Sequence, residues 1–127
     1  MDMFLSVAAR FLMALIFIIS GWQKLMGYSG TESYFSSMGI PLAGLVTPLV
    51  ILIELGGGLA LLFGLKTRWV AAILALFTVA AALIAHRNFA DQAQAINFMK
   101  NLAMTGGLLM FVKYGAGAAS IDARIEK

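Results

Sequence analysis

The chain has no cysteine, so it can build no disulfide, thiolate metal site or iron–sulfur cluster of its own, and thiol–disulfide exchange is excluded as its chemistry. Its single histidine is too few for bis-histidine haem ligation or a multi-histidine metal site within one chain; no metal site is expected. Charge is scarce as well. Asp, Glu, Lys and Arg make up 12% of the 127 residues, about half of the roughly 25% usual in soluble domains. There is no P-loop, Rossmann glycine pattern or nucleophile elbow, which removes the nucleotide-binding and serine-hydrolase readings. The net charge is +3 and the isoelectric point lies near 9.5. The nine basic residues are spread over segment ends instead of forming a stripe, so nucleic acid is not an expected partner.

Apolar sequence is what the chain has in abundance: 61% of its residues are hydrophobic and the mean hydropathy is +0.92. A helix crossing the hydrocarbon needs about 20 mostly apolar residues. The length accommodates four such helices with short connections. The pattern therefore predicts an all-α, polytopic membrane protein, a four-transmembrane-helix bundle forming one domain over residues 1–127. Its helices should cover about 3–26, 42–63, 69–86 and 95–112, with a polar tail at 113–127. The first apolar run carries Asp2 before it and Arg10 within it, and Ile19-Ser20-Gly21-Trp22 is a poor cleavage context, so it reads as a retained helix and not a signal peptide.

Between the first two helices, Thr31 to Gly39 reads as a polar connection with a short amphipathic turn around Tyr34 and Phe35. Pro41 can open the second helix, and Pro48 should kink it one turn from Glu54. Lys66, Arg68, Lys113, Arg124 and Lys127 fall on one side, with Arg10 close to it, against Lys24, Arg87 and Lys100 on the other. The larger group is expected in the cytoplasm, with both termini. Small residues recur at close-packing spacing: Gly56, Ala60 and Gly64; Ala71 and Ala75; Ala103 and Gly107.

Two ionisable residues lie inside apolar helices. A charge near the bilayer centre costs at least ~2.5–3.5 kcal/mol on insertion scales, so Arg10 and Glu54 should face the bundle interior. Arg10, Ala14, Phe17, Gly21 and Lys24 share one face of the first helix by their spacing of three and four. An Arg10–Glu54 ion pair is the central expectation. It would either pin the first helix to the second or poise Glu54 to bind a proton or a ligand group. A second polar group is expected at the opposite end: Trp22, Gln23 and Lys24, then His86 and Arg87, then Asn97, Lys100 and Asn101. It reads either as an interfacial belt or as a hydrogen-bonding rim for an anionic or carbonyl group.

The same residues resemble the DoxX family of small bacterial and archaeal inner-membrane proteins. The resemblance rests on Arg10 with Gly21-Trp22-Gln23-Lys24-Leu25, and on Glu54-Leu55-Gly56-Gly57-Gly58 with Leu61-Leu62-Phe63-Gly64. Arg68 before an Ala-rich helix ending at His86, and Gly115-Ala116-Gly117 with Ser120-Ile121-Asp122, complete it. It implies a multi-pass protein of the bacterial cell inner membrane. The family takes its name from a subunit of quinone-linked oxidase complexes in archaea, and some relatives are linked to redox-stress complexes and thiol homeostasis. It makes Arg10, Lys24, Glu54, His86 and Asp122 candidates for a shared site, although Asp122 by itself reads as part of a solvated, charged tail. Without cysteine, electron transfer would need a bound quinone or partner redox subunits. The functions in view are an accessory or ligand-binding subunit of a membrane redox system, a quinone-interacting oxidoreductase subunit, and a small proton-coupled transporter. A lipid ligand and a homo-oligomer remain open as partners.

Overall fold

Backbone inside a bilayer must satisfy its own N–H and C=O groups, and a helix does so within one segment. The computed structural model describes residues 2–85, 90–117 and 120–125, and the regular elements among them are all helices. These are α1 (Asp2–Met26), α2 (Tyr28–Ser37), α3 (Ala43–Ile51), α4 (Gly57–Phe63), α5 (Thr67–Ala85), α6 (Gln92–Tyr114) and α7 (Ile121–Ile125). A π-helical turn, Leu52–Gly56, joins α3 to α4, so that Ala43–Phe63 is one continuous span. With Met3–Met26, Thr67–Ile84 and Gln92–Tyr114 it makes four helices long and apolar enough to cross a membrane. Each expected helix is present.

The spans pack as two hairpins, α1 against the π turn and α4, and α5 against α6. In the first hairpin glycine sets the distance. A Cβ on Gly21 would stand 2.8 Å from the Leu55 backbone nitrogen, and one on Gly58 would stand 2.8 Å from Ile18 Cγ1. Missing side chains thus let two backbones approach closely, the membrane substitute for a hydrophobic drive between helices. Of the expected small-residue rows, Ala71 and Ala75 are buried, but Gly56 is exposed and its Cβ would meet only Leu52 of its own span. Gly58, two residues on, makes the contact instead. The core joins the hairpins through Ala14, Phe17, Leu61, Leu74 and Leu108.

The segment between the first two spans is more ordered than a polar connection: it is the ten-residue helix α2, with Phe35 buried. The tail also departs from expectation. Gly64 ends α4 in the left-handed region at φ +71°, with Leu65 N donating to Ala60 O at 2.8 Å, a Schellman-type stop. Asp122 N then donates to Gly64 O at 2.8 Å. Its carboxylate accepts from Lys66 N at 2.6 Å and from Thr67 N at 2.8 Å. Asp122 is therefore no solvated tail charge. It caps α5 from 55 residues away in sequence, satisfying N–H groups that a helix start leaves open. Burial pushes its carboxyl up, but the N–H groups of Thr67 and Lys66 and the Lys66 charge outweigh this and hold it below the ordinary carboxylate range. Arg68 complements it, donating from Nη1 to Lys113 O at 2.6 Å and Val112 O at 3.3 Å near the carbonyl end of α6.

Candidate functional site

The expected face of α1 is the buried one: Arg10, Ala14, Phe17 and Gly21 are buried and Lys24 is half-buried. The expected ion pair, however, is replaced by another. Arg10, 2% exposed, donates from Nη1 to Leu62 O at 3.1 Å and lies in the field of Asp122. Leu62 is two turns beyond Glu54, about 12 Å at 1.5 Å per residue. Arg10 therefore serves the carbonyl end of α4, where a cation and a free C=O complement each other. Glu54, 5% exposed, pairs with Lys24, whose Nζ lies 2.7 Å from Glu54 Oε1. The reason is register: Gly21 meets the backbone at Leu55, which sets the last turn of α1, not its beginning, beside Glu54.

Lys24 also donates to Ser20 Oγ at 2.6 Å, one turn earlier on the same face. The Lys24 ammonium engages Glu54 Oε1 at 2.7 Å, and because a carboxylate offers about four lone-pair sites the group keeps acceptor capacity beyond that contact. Glu54 sits in the π turn. Such turns re-aim side chains and recur at functional sites. Pro48 lies inside the preceding α3, where its missing N–H breaks the regular i to i−4 ladder.

Ser20, Lys24 and Glu54 face a cavity of about 500 Å³ between the two hairpins. Thr78 and Asn101 line it from α5 and α6, and Asn101 Nδ2 donates to Thr78 O at 3.3 Å. Phe17, Val50, Phe77, Ile84 and Met104 supply apolar wall, and Tyr34, Phe35, Met38 and Ile40 add to it from α2 and the turn after it. A mostly apolar pocket with a few convergent polar groups is the usual form of a small-molecule site. Of the described members of the expected polar rim, Lys24 and Asn101 line the cavity, whereas the exposed Trp22, Gln23, Asn97 and Lys100 do not. His86 and Arg87 lie outside the described residues. No group of three or more His, Asp or Glu among the described residues could hold a metal ion. The sequence reading missed Ser20, Thr78 and the α2 wall. Ser20 was signalled by its position one turn before Lys24; the others had no comparable local mark.

These features define a four-span integral membrane protein with an amphipathic cavity between its two hairpins. The chain belongs to the DoxX family, whose model matches residues 5–87, a stretch that includes Arg10, Ser20, Lys24 and Glu54 and stops before Asn101 and Asp122. It is 48% identical over 121 residues to "Inner membrane protein YqjF" of Escherichia coli (strain K12), covering 95% of this chain and 92% of that one. It is 34% identical over 125 residues to "Inner membrane protein YphA" of the same organism, covering 94% and 89%. A shorter similarity, 35% over 74 residues, covering 58% of this chain and 54% of the other, links it to "Putative oxidoreductase CatD" of Bacillus subtilis (strain 168). No solved structure matches it.

Proposed function

We propose that this protein is a ligand-binding accessory subunit of a membrane redox system, seated in the bacterial inner membrane with both termini in the cytoplasm, and that its ligand is a quinone-like molecule with a neutral polar head and an apolar tail. The observation that carries this reading is the cavity of about 500 Å³ with the Lys24–Glu54 pair in its wall. One cation beside one anion leaves the site near neutral, which suits an uncharged head better than a carboxylate or phosphate. Lys24 has three N–H donors, of which Ser20 takes one and Glu54 engages another, so one remains for a ring carbonyl. Glu54 has acceptor capacity for a ring hydroxyl, and the apolar wall suits an isoprenoid chain. A bound quinone would supply two-electron redox chemistry. This chain's part would be to hold the head beside Glu54, a place for a proton, while electrons come from partner subunits.

The names of the inner-membrane relatives and of the oxidoreductase relative support this reading. A small proton-coupled transporter is the second reading, favoured by the burial of Glu54 on a π turn within a span. The discriminating experiment is native mass spectrometry of protein gently extracted from its own membrane, with lipid and quinone extraction, comparing wild type with Glu54→Gln. A stoichiometric quinone in wild type that falls in the variant supports the subunit. A ligand-free wild type, with proton flux in vesicles that needs Glu54, favours the transporter and sinks the quinone reading.

A further inference from the structure

A second pocket lies at the other end of the bundle, where the turn before α5 meets the end of α6 and the docked tail. It holds about 520 Å³ and is lined by Lys66, Arg68, Trp69, Tyr114, Gly115 and Asp122, among others. Its single carboxylate is occupied: both Asp122 oxygens accept backbone N–H groups, and its charge is further offset by buried Arg10. The lining cations are less engaged. Lys66 is exposed, and its ammonium acts on Asp122 only through its field, while Arg68 uses Nη1 for the α6 carbonyls. The Nε and Nη2 edge of Arg68 lies against Gly115, where a Cβ would stand 3.3 and 3.5 Å from those nitrogens. Gly115 has φ +75° and ψ −161°, a conformation open essentially to glycine alone, so the backbone leaves that guanidinium edge uncrowded. Lys66 itself is held at φ +50°, a left-handed conformation uncommon outside glycine, and its N–H bond to Asp122 helps hold it there.

The rim of the pocket places it at the membrane surface. Trp69 and Tyr114 are 74% and 61% exposed, the position of aromatic rings at headgroup level, and Lys113 stands 5.1 Å over the Tyr114 ring. Basic pockets at this depth between membrane helices suit anionic headgroups.

The structure assigns this pocket as a binding site for one anionic phospholipid, its headgroup phosphate between Lys66 and Arg68 and its glycerol region against Trp69 and Tyr114. The site is separate from the cavity of Lys24 and Glu54 and holds whether or not that cavity takes a quinone.

The test is native mass spectrometry of the full chain in non-ionic detergent, titrated with phosphatidylglycerol or phosphatidylcholine, for wild type, Lys66→Gln and Lys100→Gln. The Lys66 bond to Asp122 is made by its backbone N–H, so replacing the side chain leaves the fold intact, and exposed Lys100 at the opposite end serves as control. One phosphatidylglycerol should bind in preference to phosphatidylcholine, weaken roughly fivefold in Lys66→Gln, and be unchanged in Lys100→Gln. It should also persist in millimolar inorganic phosphate. Equal binding of the two lipids, an equal loss in Lys100→Gln, or displacement by inorganic phosphate would each overturn the assignment.

Discussion

Lys24 Nζ stands 2.7 Å from Glu54 Oε1 and 2.6 Å from Ser20 Oγ, so the buried carboxylate of the second span is neutralised from the last turn of the first. Arg10, the other cation on that face, is bound at the end of α4 through Leu62 O. The bundle therefore holds two separate electrostatic centres: one beside the cavity, the other beneath the docked tail.

The first centre has a measurable coupling. Removing Lys24 alone strands a carboxylate that is 7% exposed, and removing Glu54 alone strands the ammonium. Each single change, Lys24→Met or Glu54→Leu, should cost roughly 2–4 kcal/mol, and the double variant less than the sum. Thermal unfolding of the four proteins in one detergent measures the cycle, and additive losses would contradict the pairing.

Glycine substitutions should separate by position. Gly21→Ala and Gly58→Ala each drive a Cβ to 2.8 Å from the opposing span and should destabilise by about 1–3 kcal/mol. A Cβ on Gly106 would meet nothing within 4 Å, and the residue lies inside α6, so Gly106→Ala should be neutral or stabilise by up to about 1 kcal/mol. Melting temperatures of the three variants read the contrast.

The cavity can be blocked without touching its charges. Ala81 lines it from α5, and Ala81→Phe would fill part of the 500 Å³ with a ring. The expected outcome is loss of any co-extracted apolar ligand with a stability change under about 1.5 kcal/mol. Retention of the ligand in this variant would move its site elsewhere.

Asp122 should make part of the stability depend on pH. Its carboxyl titrates below the ordinary range in the folded protein because backbone N–H groups favour the ionised form. The contribution is thus complete above the ordinary carboxylate range and is lost as pH falls through the lowered folded value. At pH 7 Asp122→Ala should cost about 1 kcal/mol, the usual worth of a helix cap. The gap between wild type and variant should narrow on acidification towards about pH 3. A gap that is constant or widens there would be inconsistent with the cap.

Hydropathy alone determined the class and the number of spans, because each span must bury its own backbone polarity and advertises this as some 20 apolar residues. Spacing along α1 likewise determined which face turns inward, since Arg10, Ala14, Phe17, Gly21 and Lys24 recur at helical period. Partner choice was settled only in three dimensions. Which cation meets Glu54 depends on how far α1 slides along the second span, and that register is set where Gly21 meets Leu55 and Gly58 meets Ile18, between residues remote in sequence. The tail followed the same rule. Its polarity suggested a solvated end, but the open N–H groups at the start of α5 and the carbonyl of Gly64 gave Asp122 partners more than 50 residues away, contacts that no local pattern encodes.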